Sequence, residues 1–294
     1  MNKSKLKDLI EATIAQKGTD LHICPAATPH IRINGILTSL DMPLLDNIAV
    51  KSIIDEALTV EQKRSLNETK VAAFSFSING IGRFRACAYS QRGTFAITIH
   101  ILPIGVPSIV ELGFSENDFA NYTSKNKGLI LATGGVGTGK TTTLAAMVSF
   151  INETKCCHIA TIEEPIEYLH RHNKSIVTQK EIGADIPDIK TALAWVAKSD
   201  PDVVMINELP RHKENLRLAV SIAEEKLLLA GLTTTEPKNA IVRLTKELSQ
   251  EQGLLDVLEG VVFQTCDETV RKYSLFGRKE VIECRNQSDL PTNN

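Results

Sequence analysis

The chain has 294 residues, of which 43% are hydrophobic and 23% are charged, a balance typical of folded globular proteins that excludes wholesale disorder. Thirty-three Lys and Arg residues against 35 Asp and Glu residues give a net charge of −2, so the chain lacks the overall basic field that binds nucleic acid. At this length we expect two domains.

The cysteine content and the absence of long apolar runs indicate the cellular compartment of the protein. Six cysteines are too few for a disulfide scaffold, and none lies in a Cys-x-x-Cys pair, so we expect reduced, small core residues. No apolar stretch approaches the roughly 18 residues of a membrane helix, and the charged N-terminus has no signal-peptide core. The sequence therefore predicts a cytoplasmic protein that meets a membrane only through partners.

The first part of the chain alternates helical and strand-like patterns. Helical spacing of apolar residues predicts helices over 4–15, 47–58 and 60–66. Strand-like runs with tight turns between them are predicted at 21–24, 30–35, 73–78, 83–89 and 95–102. Three helices and about five strands predict a small α+β domain over residues 1–103.

The pattern changes after a proline-punctuated segment, residues 104–110, which we predict to be a linker. Over residues 111–284, apolar strands alternate with helices, which predicts an α/β domain with a mostly parallel sheet covered on both faces. The predicted strands begin at Gly128, His158, Val203 and Leu227, and the predicted helices at Lys140, Ile189 and Leu216. Residues 285–294 are predicted to be a polar tail.

The strongest chemical signal is Gly134-Gly-Val-Gly-Thr-Gly-Lys-Thr141, which matches the phosphate-binding pattern G-x-x-x-x-G-K-[ST]. Glycines let backbone N–H groups turn toward phosphate oxygens, and the helix that begins here adds partial positive charge. We expect Lys140 to reach the β- and γ-phosphates of ATP and the Thr141 hydroxyl to bind Mg²⁺. The predicted nucleotide-binding residues are Gly134, Gly135, Val136, Gly137, Thr138, Gly139, Lys140, Thr141 and Thr142.

Two acidic segments follow this phosphate-binding loop (P-loop). Glu163 comes directly after the strand that begins at His158, and Glu208 ends the apolar segment 200–208, which has the form of a Walker B segment. Catalytic groups of an open α/β sheet lie at the carboxyl ends of its strands. Either carboxylate alone is more often a solvated or capping residue, but behind a P-loop a catalytic role is favoured.

A series of motifs in fixed order resembles the secretion ATPases of type IV pili and type II secretion, and the pilus retraction (PilT-like) branch in particular. The motifs are Gly18-Thr-Asp-Leu-His22, Pro29-His-Ile-Arg-Ile-Asn-Gly35, Gly82-Arg-Phe-Arg85, Gln91-Arg-Gly93, Glu111-Leu-Gly113, Gly128-Leu-Ile-Leu-Ala-Thr-Gly134, Thr161-Ile-Glu-Glu-Pro-Ile-Glu-Tyr168, Ser199-Asp-Pro-Asp202, Arg217-Leu-Ala219 and Ala223-Glu-Glu225.

The resemblance implies a PAS-like N-terminal domain, a RecA-like C-terminal domain, and a hexameric ring of like or paralogous subunits with ATP at the interfaces. It places Glu163 at the catalytic position of the family's acidic box and Glu208 at that of its Walker B segment. Arg85 matches an arginine that reaches the nucleotide phosphates when the two domains close. The implied partner is an inner-membrane pilus platform protein.

The chain also departs from the family pattern. His100 replaces a second arginine, Asn207 replaces a glycine before Glu208 with a one-residue insertion after it, and Lys226 and Thr233 replace two histidines. Thirty residues follow Gln264, fewer than the family's C-terminal helical region contains. These departures predict retained ATP binding with weak or partner-dependent hydrolysis.

The sequence thus predicts an ATP-hydrolysing motor subunit that powers type IV pilus retraction or related secretion-pilus dynamics. The alternative is a catalytically weak or inactive regulatory subunit that co-assembles with an intact pilus ATPase. Translocation along nucleic acid is disfavoured, because the charge is near neutral and no aromatic–basic stripe is visible.

Overall fold

A computed structural model of the chain describes residues 5–102, 105–234, 256–267, 270–277 and 279. The chain divides into two compact units, Met1–Ile104 and Gly105–Asn294. The predicted tail at 285–294 lies outside the described residues.

The first unit consists of three helices and one antiparallel sheet. The helices are α1 (Lys5–Ala15), α2 (Asn47–Ala57) and α3 (Val60–Thr69). The strands are β1 (Asp20–Ile23), β2 (His30–Ile33), β3 (Ile36–Ser39), β4 (Val71–Ile78), β5 (Gly82–Gln91) and β6 (Thr94–Ile101), and their order across the sheet is β3-β2-β1-β6-β5-β4. The described part of this unit therefore contains one strand more than the five runs that the sequence predicts, because all four residues of β3 are exposed and show no alternation of apolar and polar residues.

Local capping fixes where two of these helices begin. The Asp46 side chain accepts a hydrogen bond from the Ala49 N–H at 2.7 Å at the start of α2. At the start of α3, Thr59 and Gln62 form a reciprocal capping box. The apolar faces of the helices then pack on the sheet around fully buried residues such as Ile10 and Ile53.

The second unit is an α/β structure with a seven-stranded sheet. Its helices are α4 (Glu116–Thr123), α5 (Lys140–Thr154), α6 (Ile189–Ser199) and α7 (Lys213–Glu225). Its strands are β7 (Gly128–Gly134), β8 (His158–Glu163), β9 (Ile176–Glu181), β10 (Val203–Ile206), β11 (Leu227–Thr233), β12 (Leu258–Asp267) and β13 (Val270–Gly277). The strand order is β13-β12-β7-β11-β10-β8-β9, and every neighbouring pair is parallel except β12 and β13. This confirms the prediction of a mostly parallel sheet.

Apolar layers cover both faces of this sheet. Helices α6 and α7 pack on one face, around residues such as Leu193 and Leu216. Helices α4 and α5 pack on the other face, around residues such as Phe119 and Met147. Because β7 runs between these two layers, each of its seven residues is buried. Its carboxyl end, Gly134, is therefore buried where the P-loop begins.

The four cysteines with described side chains are free, and they are only in part the core residues that the sequence predicts. Cys24, Cys87 and Cys157 are partly buried, whereas Cys156 is exposed, because it lies in the short connection between α5 and β8. In the described part of the chain, no helix is both long enough and apolar enough to span a bilayer.

Candidate nucleotide site

The P-loop, residues 134–139, connects β7 to α5 and depends on glycine at its first position. Gly134 has a φ of 151°, and a Cβ there would lie 2.3 Å from the backbone oxygen of Gln264 on β12. The same Cβ would lie 2.7 Å from the Thr138 hydroxyl oxygen. Any side chain at residue 134 would therefore push the loop away from the sheet.

The Lys140 side chain folds over the loop that precedes it. Its Nζ donates to the carbonyl oxygens of Gly134 at 3.2 Å and Gly135 at 2.8 Å. Burial lowers the pKa of Lys140, and the negative charge of Glu208 partly opposes this shift. The ammonium and the Glu208 carboxylate therefore lie within electrostatic reach of each other.

Other predicted loop residues shape the loop or begin the helix. Thr138 is buried, and its hydroxyl donates to the carbonyl oxygen of Gly135 at 3.0 Å, while Val136 at the loop tip is 90% exposed. Gly137 and Gly139 both have positive φ, and Gly139 is the N-cap of α5. The side chains of Thr141 and Thr142 lie in the first turn of α5, whose leading N–H groups lack partners within the helix.

Glu208 is bound to the strand next to the P-loop. It lies two residues beyond the end of β10, and its Oε1 accepts from the Thr233 N–H at 2.8 Å. Its Oε2 accepts from the Thr233 hydroxyl at 3.0 Å. Thr233 is opposite Gly134 in the register of β11 and β7. The carboxylate of the predicted Walker B segment therefore lies beside the loop.

Glu163 is the last residue of β8 and is only 2% exposed. Its Oε1 accepts hydrogen bonds from the Thr161 hydroxyl at 2.6 Å and from Nε2 of Gln179 at 3.0 Å. Burial raises the pKa of Glu163 above its ordinary value, and the two hydrogen bonds offset this only in part. A raised pKa suits a carboxylate that accepts a proton near neutral pH.

Arg85, which is predicted to be catalytic, and His100 both belong to the first unit. Arg85 is exposed on β5 of the first unit, opposite His100 in the register of β5 and β6. His100 Nδ1 lies 2.9 Å from Oδ1 of Asp20. Burial raises the pKa of Asp20, but hydrogen bonds from His100 and Thr19 outweigh burial and lower that pKa below its ordinary value. His100 is thus engaged by an acidic neighbour on β1.

Lys226 and Thr233, which replace the two family histidines, lie at opposite ends of β11. Lys226 is the C-cap of α7, directly before β11, and forms an ion pair with Asp200. Register pairs the first residue of β11 with the first of β7, and Thr233 with Gly134. Lys226 therefore lies at the end of β11 away from the P-loop, whereas Thr233 lies beside the loop. That either replacement weakens hydrolysis stays a prediction.

Three residues of this region carry contacts that the sequence analysis did not assign. Gln179 binds Glu163, Tyr168 binds Thr142, and Gln264, which is fully buried, donates through Nε2 to the Thr143 hydroxyl at 2.7 Å. Tyr168 ends a motif that carries the family resemblance, so the sequence could have identified it as a candidate site residue. Gln179 and Gln264 lie on strands that the periodicity did not predict.

Comparison with known proteins places this geometry in a family. The family described as type II/IV secretion system protein matches residues 3–287. The chain is 33% identical over 267 residues to the type IV pilus retraction ATPase PilT of Pseudomonas aeruginosa, covering 88% of this chain and 77% of that protein. It is 32% identical over 241 residues to the type IV pilus ATPase PilU of the same organism, covering 82% of this chain and 63% of that protein.

The fold comparison agrees with the sequence comparison. A crystal structure of the pilus retraction motor PilT with bound ADP has a TM-score of 0.86 and 32% identity, covering 97% of this chain and 87% of that chain. The Legionella pneumophila ATPase DotB has a TM-score of 0.78 at 18% identity, which shows a shared fold. The resemblance carried by the sequence motifs is confirmed, and the chain belongs to the type II/IV secretion system protein family.

Proposed function

We propose that this protein binds and hydrolyses Mg·ATP as a motor subunit that powers type IV pilus retraction. The observation that carries the proposal is the P-loop itself, in which Lys140 lies over the loop and within electrostatic reach of Glu208. Similarity to PilT, whose structure contains ADP, supports the nucleotide, and similarity to both PilT and PilU supports a pilus role.

The proposed reaction is ATP + H₂O → ADP + phosphate. Backbone N–H groups of the P-loop and Lys140 bind the phosphates, and Glu163, with its raised pKa, accepts a proton from the attacking water. Glu208 would accept a hydrogen bond from the attacking water or from a water molecule bound to Mg²⁺.

The residues present fit Mg²⁺ held largely by the substrate. In the described part of the chain, no group of three or more His, Cys, Asp or Glu residues could hold a metal ion. Magnesium in nucleotide sites is usually bound by phosphate oxygens, water and one or two protein oxygens, rather than by an all-protein cage. The Thr141 hydroxyl, in the first turn of α5, supplies a protein oxygen of the right kind.

The proposed assembly is a hexameric ring of like or paralogous subunits in which Arg85 reaches a nucleotide and stabilises charge on the transferred phosphoryl group. The proposed partner is a pilus platform protein of the inner membrane, and membrane association is through that partner alone. Hydrolysis changes the conformation of the ring subunits, and this motion acts on the platform protein.

Nucleotide binding is tested by thermal unfolding. We expect Mg·ATP to raise the melting temperature of the wild type, because a ligand at about 100 times its Kd stabilises the folded state by about 2.7 kcal/mol. Lys140→Ala loses this shift, whereas Lys198→Ala, a matched change of an exposed lysine in the last turn of α6, retains it. An unchanged melting temperature of the wild type at saturating Mg·ATP contradicts the proposal.

The regulatory-subunit alternative rests on one observation, the replacement of a family arginine by His100, whose ring is engaged by Asp20. Loss of an arginine that contacts the transferred phosphoryl group lowers turnover about 10³-fold or more. Steady-state ATPase assays of the purified protein, alone and mixed with a complete pilus ATPase, distinguish the two functions. No turnover by this protein alone, together with a mixture more active than the complete ATPase by itself, selects the regulatory subunit.

A further inference from the structure

Glu163 lies on a strand that is not a neighbour of the strand leading into the P-loop. The strands stand in the order β7-β11-β10-β8, so three strand spacings separate β8, which ends at Glu163, from β7. At about 4.8 Å per spacing, the two strands are about 14 Å apart. A carboxylate on so distant a strand needs structural support to keep a defined position relative to a bound triphosphate.

The segment that follows β8 provides a direct contact with the P-loop helix. Tyr168 is buried, and its hydroxyl oxygen lies 2.9 Å from the hydroxyl oxygen of Thr142. Thr142 follows the predicted Mg²⁺ ligand Thr141 in the first turn of α5. The first turn of α5 and the segment after β8 are therefore in direct contact.

Gln179 on β9 connects Tyr168 to Glu163. Its Nε2 donates both to Oε1 of Glu163 at 3.0 Å and to the backbone oxygen of Tyr168 at 2.8 Å, and its Oε1 accepts from the His170 N–H at 2.9 Å. A carboxylate and a carbonyl can only accept, and a backbone N–H can only donate, so the amide has one satisfactory orientation. Gln179 therefore binds the segment after β8 and the carboxylate at once.

We propose that Gln179 and Tyr168 are positioning residues, which hold Glu163 in a fixed place relative to the first turn of α5. Through these contacts, binding of a nucleotide at the P-loop changes the position of the Glu163 carboxylate. The inference rests on the proposed hydrolysis at Glu163. Neither residue is proposed to touch the nucleotide, so their loss changes turnover and leaves binding of the phosphates intact.

Replacing Gln179 by leucine tests the first part of the proposal. In Gln179→Leu, Glu163 keeps the Thr161 hydroxyl as a partner but loses the donor that directs its orientation. We expect kcat for ATP to fall about 10- to 100-fold, the cost of misplacing a reacting group, with KM within about twofold of wild type. The matched control is Thr178→Val on the same strand, whose hydroxyl contacts His158 instead, and which keeps the wild-type kcat.

The pH profile separates positioning from general destabilisation. The hydrogen bond from Gln179 lowers the pKa of Glu163, whereas burial and the neighbouring charge of Glu167 raise it. Removing the bond raises that pKa further, so the acid limb of the kcat profile moves to higher pH in Gln179→Leu. Gln179→Asn, whose amide is one methylene shorter, shows the same shift and provides a second variant if the leucine variant does not fold.

A double-mutant cycle tests the contact between Tyr168 and Thr142. Tyr168→Phe and Thr142→Val each remove one hydroxyl of the pair. We expect kcat to fall in both single variants and to fall no further in the double variant. Fully additive losses overturn the proposed coupling.

The outcomes distinguish this inference from the proposed function. If wild type hydrolyses ATP and Gln179→Leu keeps its kcat and pH profile, the inference is wrong and the ATPase function stands. If wild type binds Mg·ATP but shows no turnover alone and adds none to that of a complete pilus ATPase, both hydrolysis at Glu163 and this inference are wrong.

Discussion

Thr233 binds both carboxylate oxygens of Glu208, at a position where the resemblance places a histidine. One of the two donors is the backbone N–H, which any residue except proline supplies, and the other is the threonine hydroxyl. The side chain therefore adds a second, sequence-specific bond.

Replacing Thr233 by valine removes this hydroxyl while keeping the shape of the side chain. A hydrogen bond to a partly exposed charged group contributes about 1 kcal/mol, so we expect kcat to fall about fivefold if Glu208 acts in turnover. Thr154→Val, which removes a hydroxyl bonded to the Phe150 carbonyl at the far end of α5, is the matched control. Equal ATPase rates in the two variants contradict a role of this bond.

The local part of the site was predictable from sequence, and the cross-strand part was not. Residues 134–142 are identified by their spacing alone, because a phosphate cradle requires glycines, a lysine and a hydroxyl at consecutive positions. Gln179 and Thr233 act through contacts with residues 16 and 25 positions away in sequence. Such contacts depend on which strands become neighbours, and no local pattern encodes this.

Strand β11 must approach the end of β10 very closely for Glu208 to reach Thr233. At Gly231 an added Cβ would lie 2.0 Å from the backbone oxygen of Asn207, and backbone cannot yield as a flexible side chain can. The Leu209 N–H also donates to the Gly231 carbonyl at 2.8 Å, so the segment after β10 is bound to β11 at this point. The close approach explains why glycine is required within an otherwise apolar strand.

We expect Gly231→Ala to destabilise the protein by about 1–3 kcal/mol, the usual cost of overpacking a core, and to displace Glu208. Thermal unfolding measures the effect as a loss of several degrees. Gly135→Ala is the matched control for stability, because its Cβ would meet the nearest atom, Cγ2 of Thr138, at an ordinary 3.6 Å. A Gly231→Ala protein as stable as this control would show that the backbone moves apart at little cost.

At the scale of elements, the four central strands of the second unit could be predicted, whereas the polar strand β9 and the exposed strand β3 could not. The central strands β7, β8, β10 and β11 are nearly continuous apolar runs, which is typical of parallel strands covered on both faces. The edge strand β9 contains the polar run Thr-Gln-Lys-Glu, and β3 is exposed throughout, so neither has the hydrophobic periodicity of a strand. Their positions follow from pairing with a neighbour, not from their own composition.

At the scale of the whole molecule, the predicted site residues are divided between the two units of the chain. Glu208, Glu163 and the P-loop belong to the second unit, whereas Arg85 belongs to the first. The sequence alone assigns Arg85 to a different domain from the P-loop. The strand order, which brings the other residues to the carboxyl ends of the strands in one sheet, is seen only in the fold.

If the proposed ring places each nucleotide between subunits, Arg85 acts on the nucleotide of a neighbouring subunit. Arg85→Ala then keeps an intact Lys140, and Lys140→Ala keeps an intact Arg85. Each variant alone is inactive, but random mixing in a head-to-tail ring gives about one interface in four that combines both intact residues. We therefore expect ATPase activity to reappear on mixing the two variants, at up to about a quarter of the wild-type rate per subunit.

The control for this experiment is a mixture of Lys140→Ala with the double variant Arg85→Ala/Lys140→Ala. No interface in that mixture has an intact Lys140, so it stays inactive whatever its assembly. Size-exclusion chromatography of each mixture verifies that rings form. Mixed rings of the two single variants that remain inactive would show that Arg85 serves the nucleotide of its own subunit, because each active site then requires both residues from one chain.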